Sequence, residues 1–249
     1  MKGIPRFLLL TISNIFLKFK EMIKNCVLLS EKSWHKNLFL SLKAEFKEIK
    51  WMQIDNKSDF NEKGLSKFNP DIIFIPHWSY IISDKIFNKF ECIIFHMTDL
   101  PFGRGGSPLQ NLIIRGYKTT KISAIKVSNG IDSGDVYLKS HLDLYGSAQE
   151  IFIRSSLVIY DMISEILTTA PKPIPQSGKI TNFKRRIPSQ GSIKNLVDLN
   201  EVNDFIRMLD CEGYPNAFIE TSKLKFEFTN TKFDVNNNII NANVRIFKK

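Results

Sequence analysis

The densest chemistry in this 249-residue chain lies in fourteen residues, Phe95–Pro108, FHMTDLPFGRGGSP, which hold one histidine, one aspartate, one arginine, three glycines and two prolines. An imidazole titrates near neutrality, so His96 can move a proton and, once protonated, donate to a developing oxyanion. Asp99 and Arg104 follow in a loop stiffened by Pro101, whose glycines let backbone approach a ligand closely. A loop running into a helix N-terminus also offers N–H groups to an anion. The spacing is not GxGxxG, and no Gly-Lys-Ser/Thr follows, so neither nucleotide fingerprint is met. A second stretch, Ser128–Tyr137 (SNGIDSGDVY), sets Asp132 and Asp135 around Gly134. It reads equally as an ordinary hairpin turn, where Asp and Gly are favoured for backbone reasons. A carboxylate beside an imidazole would fix its tautomer and stabilise its protonated form. Residue types alone leave open whether Asp132 meets His96.

The four histidines, His35, His77, His96 and His141, show no metal-ligand spacing, so no metal is expected. Cys26, Cys92 and Cys211 are odd in number, far apart and outside any CxxC, which argues against a disulfide framework and fits a reducing, cytoplasmic setting. Cys26 and Cys92 sit in apolar runs and read as buried structural thiols.

Elements must carry these residues to one place. CVLLS (26–30), EIKWMQI (48–54), DIIFIP (71–76) and ECIIFH (91–96) read as strands, and SWHKNLFLSLKAEF (33–46) as a helix with Ser33 at its cap. Such alternation implies parallel βαβ units and a doubly wound sheet. Ligands bind outside the carboxyl ends of such strands, and both PHWSY and HMTDLPFGRGG start at such ends. SPLQNLIIRGY reads as a helix with Ser107 capping and Pro108 at its first position, TTKISAIKV as a strand, and SAQEIFIRSSLVIYDMISEILTTA as a long helix with a Ser147/Glu150 capping box. PKPIPQSGKITNFKRRIPSQGS reads as a linker crossing a surface. A helix (LNEVNDFIRMLD) and strand-like AFIE, LKFEFTNTKFDV and IINANVRIF then make a small β-rich unit. The expected division is an extension over 1–24, a catalytic domain over 25–171 and a linker plus small α+β unit over 172–249. The extension starts MKGIPRFLLL; it has no small-residue cleavage site, is too short in apolar residues to span a bilayer, and reads as an added segment or a surface amphipathic helix.

Hydrophobic residues make up 43% of the chain, enough for a proper core, and the net charge is +10. A basic surface suits anionic partners, although no long basic block stands out.

HMTDLPFGRGG resembles the motif of folate-dependent formyltransferases, in which a histidine is followed five residues later by proline and then by Arg-Gly. GIDSGDVY resembles that family's second motif, Asp-x-Gly-Asp. FKRRIPSQG with FIRMLDCEGYPNAF resembles the segment after the catalytic domain in sugar-modifying members, so the resemblance covers about residues 25–220. The wording of IPHWSYI and GRGGSPLQN is similar to the sugar N-formyltransferase branch acting on nucleotide-linked 4-amino-4,6-dideoxy sugars. The resemblance implies a Rossmann-like α/β catalytic domain, 10-formyltetrahydrofolate as co-substrate, and transfer of its formyl group to a sugar 4-amino group. His96 and Asp132 match the catalytic pair. Thr98, Asp99, Arg104, Gly105, Gly106, Lys184, Arg185 and Arg186 are implied around the acceptor and its phosphates. His77, Trp78, Tyr80, Ile82, Met97, Leu100, Gly134 and Asp135 are implied around the pterin, with Trp78 reading equally as packing on the sheet. One position departs: the family asparagine two residues before the histidine is Ile94 here, with Ser107, Gln110 and Asn111 as nearby candidates to replace its donor. The expected partners are folate and a nucleotide-linked amino sugar, with no nucleic acid and no membrane span; the C-terminal β unit offers a homodimer surface. Two rivals stand. A methionyl-tRNA formyltransferase is favoured by the charge and opposed by the short C-terminal part and the loop wording. A catalytically silent binder would explain Ile94.

Overall fold

The computed structural model describes residues 23–249, so the expected 1–24 extension lies almost wholly outside the described residues. Short apolar runs form the strands β1 (Asn25–Ser30), β2 (Lys50–Ile54), β3 (Ile72–His77) and β4 (Glu91–His96), linked through helices α1 (Lys36–Glu45), α2 (Glu62–Phe68) and α3 (Asp84–Phe87). All four strands are parallel, in the order β2-β1-β3-β4, with Leu28 opposite Phe74 and Phe74 opposite Ile93. The centres of β1 and β3 are buried on both sides, as parallel strands inside a sheet require, while edge strand β2 is only partly buried.

The sheet is not parallel throughout. After β5 (Arg104–Gly105) and the short helix α4 (Pro108–Ile113), strand β6 (Thr119–Lys126) returns antiparallel to β4, with His96 opposite Ser123 and Ile94 opposite Ile125. Strand β7 (Val136–Asp143) completes the six-stranded order β2-β1-β3-β4-β6-β7. The doubly wound expectation therefore stands as an α/β sheet with a mixed edge.

Helix α5 (Ala148–Thr169) follows, then β8 (Asn182–Phe183), α6 (Leu199–Leu209) and the strands β9 (Ala217–Glu220), β10 (Leu224–Asp234) and β11 (Ile239–Lys248). The last three form an antiparallel sheet ordered β11-β10-β9. The chain divides into two units. The first holds the chain up to His96, Ile122–Ser140 and Ser156–Gly178; the second holds Met97–Lys121, His141–Ser155 and Lys179–Lys249.

In the first unit, Val27, Leu29, Ile54, Leu65, Ile73, Ile75, Ile82 and Phe90 make one buried cluster with Cys92. All three cysteines are buried, and none forms a disulfide among the described residues. Burial first, then the Glu91 charge, pushes the Cys92 thiol up to about 12, which keeps it inert. In the second unit, Arg207 of α6 is buried. Its Nε donates to Asp204 at 2.6 Å and its guanidinium donates to the Leu144 and Gly146 carbonyls at 2.6 and 3.1 Å.

The Ser147/Glu150 box forms as read: Ser147 N–H donates to Glu150 Oε2 at 2.7 Å, and Glu150 N–H donates to Ser147 Oγ at 3.3 Å. Ser33 does not cap; it opens a 3-10 turn, Ser33–His35, ahead of α1. Ser107 sits at the N-terminus of α4 in the left-handed region without a side-chain cap, because its Oγ accepts the Arg186 N–H at 3.0 Å instead. The stretch read as a bare linker is built into its units. Ile174 bridges Val136 in the first; in the second, β8 pairs with β5 and the Thr181 carbonyl accepts the N–H groups of Gly103 and Arg104. Among the described residues no helix is long and apolar enough to cross a membrane.

Candidate functional site

In the first unit, β4 delivers His96 at its carboxyl end, where the side chain is 7% exposed. Its Nδ1 lies 3.5 Å from Asp132 Oδ2, and that carboxylate is 12% exposed. The sequence left this meeting open; the structure makes it. A carboxylate at that distance from a sheltered imidazole can hold the ring's orientation and tautomer.

The turn carrying Asp132 is tightly specified. Asp132 itself holds φ 49, a left-handed backbone that aspartate tolerates better than most residues. Ser133 Oγ donates to the Asn129 carbonyl at 3.0 Å. Gly134 lies flat against β6, so that a Cβ there would collide with the Lys126 carbonyl oxygen. Lys126 N–H donates to the Asp135 carbonyl at 2.9 Å. Gln176 completes the turn: its Nε2 donates to the carbonyls of Asp132 at 2.9 Å and Gly134 at 2.8 Å. Sequence reading missed Gln176, because PKPIPQSG has linker composition; the prolines on either side of Ile174, which hold the segment extended, were the available signal.

The aromatic residues assigned to the pterin form a group of their own in the same unit. His77 ends β3, half-buried, with its ring centroid 6.4 Å from His35 and 5.9 Å from Trp34. Trp78 stands edge-on to Phe60 at 5.6 Å and to Tyr80 at 5.4 Å, and Lys57 Nζ lies 4.4 Å over the Tyr80 ring. Trp78 thus packs among its neighbours, while Tyr80 and Ile81 remain exposed. The Ile82 side chain belongs to the buried cluster behind them. Gly134 and Asp135 lie in the Asp132 turn.

In the second unit, the residues after His96 are largely committed to one another. Met97 and Leu100 point into the interior. Thr98 is fully buried and its Oγ1 donates to the Gly103 carbonyl at 3.3 Å. Asp99 pairs with Lys121 at 3.0 Å. Arg104 and Gly105 form β5; Gly105, at φ 105, abuts the Phe183 carbonyl, and Gly106 abuts Arg185. These glycines admit another stretch of the same chain, where the loop had suggested a ligand. Lys184 and Arg185 are exposed. Arg186 is half-buried over Phe205 at 5.3 Å and donates to the Gln190 carbonyl at 2.6 Å; burial, then neighbouring Arg115, lowers its pKa.

Of the three candidates to replace the donor missing at Ile94, Asn111 and Gln110 have their amide nitrogens engaged. Asn111 Nδ2 is shared among the carbonyls of Gly106, Ser107 and Lys184, each at 3.0 Å, and its Oδ1 accepts from Arg115 at 2.8 Å. Gln110 Nε2 donates to the Met208 carbonyl at 3.2 Å, whereas Ser107 Oγ accepts the Arg186 N–H, a bond that does not use its O–H. Ile94 lies between Ile75 and Ile125 across the sheet.

Known proteins resemble this chain. Residues 35–150 match the family model described as formyl transferase, and residues 188–247 match the methionyl-tRNA formyltransferase C-terminal domain. A methionyl-tRNA formyltransferase of Wolbachia pipientis subsp. Culex pipiens is 25% identical over 209 residues, 78% of this chain and 66% of that protein. The solved methionyl-tRNA formyltransferase from Clostridium thermocellum is 48% identical with a TM-score of 0.88, over 91% of this chain and all of that one. The chain spans 27% to 66% of the length of the first curated relatives it matches. A sugar N-formyltransferase from Shewanella, at 14% identity and TM-score 0.61, shares the fold alone. The expected sugar acceptor and the expected absence of a nucleic-acid partner are overturned by these matches: both the C-terminal family model and the 48% identical structure carry the methionyl-tRNA name. The wording of the loop after His96 misled because much of it serves internal packing.

Proposed function

The chain belongs to the formyl transferase family, and we propose that it moves the formyl group of 10-formyltetrahydrofolate to the amino group of methionyl-tRNA. The observation that carries the chemistry is the 3.5 Å approach of the His96 imidazole to the Asp132 carboxylate at the end of β4. The 48% identity to a methionyl-tRNA formyltransferase supports the acceptor, and a net charge of +10 suits a polyanion.

A neutral amine attacks the formyl carbon, the carbonyl oxygen gathers negative charge, and collapse expels the folate nitrogen. His96 donates to that oxygen and moves the protons; Asp132 holds the ring and stabilises it while charged. With Ile94 at the family's asparagine position, and the Gln110 and Asn111 amides otherwise engaged, His96 carries a larger share of oxyanion stabilisation here. Exposed Lys184 and Arg185 offer phosphate contacts to the acceptor. The division into a catalytic domain over 25–171 and an appended unit over 172–249 is part of the same proposal.

The test is an acceptor comparison. The purified chain, given 10-formyltetrahydrofolate, forms formylmethionyl-tRNA from methionyl-tRNA. Turnover with an amine lacking the tRNA, and none with methionyl-tRNA, contradicts the assignment.

A further inference from the structure

Glu91 opens β4, the strand that ends in His96, and its carboxylate lies apart from the reacting groups. Side chains alternate across a strand, and Ile93 lies opposite Lys126 in the pairing of β4 with β6. Glu91 therefore shares with Lys126 the face of the sheet that His96 does not use. There one carboxylate holds two residues. Lys126 Nζ donates to Glu91 Oε2 at 2.8 Å, and the Tyr137 hydroxyl donates to Glu91 Oε1. Burial first, then the hydrogen bond to Glu91, raises the Tyr137 pKa, so the phenol remains a donor at neutral pH.

These two residues bound the segment that carries Asp132. Lys126 ends β6, Tyr137 follows Val136 at the start of β7, and Asp132 lies between them. One backbone bond closes the segment on itself, from Lys126 N–H to the Asp135 carbonyl at 2.9 Å. Another fastens its outgoing end to β4, from Val127 N–H to the Cys92 carbonyl at 2.8 Å. In the order β4-β6-β7, strand β6 separates β7 from β4. The Tyr137–Glu91 bond crosses that separation, roughly 10 Å between strand axes. It ties the returning end of the segment to the strand that carries the imidazole.

We propose that Glu91 is a positioning residue for formyl transfer: by fastening both ends of the Asp132 segment to β4, it sets the 3.5 Å approach of the carboxylate to His96. It acts through Asp132 from the opposite face of the sheet and does not touch the reacting atoms. The Lys126 and Glu91 side chains are 44% and 30% exposed, and an ion pair so placed adds little to stability. Its loss is therefore read in the rate, because a small misplacement of a catalytic group slows chemistry steeply. The proposal rests on the reaction assigned above.

The test is a double-mutant cycle against Asp132. Glu91→Ala lowers kcat with methionyl-tRNA about tenfold, with KM for both substrates within about twofold of wild type. In the Asp132→Asn background the same substitution costs nothing further, because the carboxylate it positions is already gone; two independent losses would multiply. A loss equal in both backgrounds, or none in either, overturns the proposal. Tyr137→Phe removes one hydroxyl and no charge; it repeats the cycle and decides if Glu91→Ala does not fold. A second readout needs no acceptor. In histidine-labelled protein, the NMR shifts of the His96 ring nitrogens are identified by their absence from His96→Ala. They differ between wild type and Asp132→Asn, and Glu91→Ala moves them toward the Asp132→Asn values. Shifts unchanged by Glu91→Ala overturn the proposal even where formyl transfer is active. A wild type inactive on methionyl-tRNA, with shifts that do move, removes the acceptor and upholds the role of Glu91.

Discussion

His96 and Asp132 meet through opposite means: a strand end fixes the imidazole, and a left-handed turn fixes the carboxylate. Removing either should therefore abolish chemistry without unfolding the sheet. His96→Ala is expected to lower kcat at least about a hundredfold, the scale of a lost oxyanion donor that also moves protons. Asp132→Asn should act in the same direction through ring orientation, and thermal melting should shift little for either. A second histidine makes a separate expectation. His35 is buried with its Nδ1 2.6 Å from Ser30 Oγ, and burial first, then His77 and Lys32, lowers its pKa to about 3. Unfolded, it titrates at about 6.5. Between those values the unfolded chain binds the extra proton, so stability is complete above about pH 6.5 and erodes as pH falls. The loss is about 2 kcal/mol by pH 5. Urea midpoints at pH 7 and pH 5 should show that slope in the wild type and a flatter one in His35→Asn.

The Asp132 turn shows how elements make a site. Its shape rests on Gly134 lying against β6 and on Gln176 reaching two of its carbonyls. Gly134→Ala should cost about 2 kcal/mol or more, because either the turn or β6 must move, and activity should fall with it. Gln176→Ala should lower kcat about tenfold at nearly constant KM for methionyl-tRNA, whereas a merely structural role would lower Tm and leave kcat intact. Gln176→Glu should be worse, since a carboxylate offers the two carbonyls no donor. Much at this scale was legible in the sequence. Four apolar runs gave four parallel strands, and His96 and the Asp-x-Gly-Asp turn were readable as a pair of motifs. The rest was not, for physical reasons. β6 returns antiparallel to β4, and strand-like composition does not reveal a strand's direction. Gly105 and Gly106 permit close approach, but composition does not say whether a ligand or Phe183–Arg185 approaches. Ser107 and Ser33 had the right type for caps, yet the Ser107 hydroxyl was claimed by a residue 79 positions away, and Ser33 opened a 3-10 turn.

At the scale of the whole molecule, the acceptor is the question. A chain of net charge +10 that takes methionyl-tRNA should lose affinity for it about a hundredfold between 50 and 200 mM salt, as a few neutralised phosphates require. Arg185→Glu should flatten that dependence without touching His96 or Asp132; filter binding across a salt series reads both. The most direct measurement is single-turnover formyl transfer from 10-formyltetrahydrofolate to methionyl-tRNA by the wild type, His96→Ala and Asp132→Asn. The expected result is rapid transfer by the wild type and, in both variants, bound tRNA with the chemical step slowed at least about a hundredfold. Equal rates in all three proteins would contradict the account.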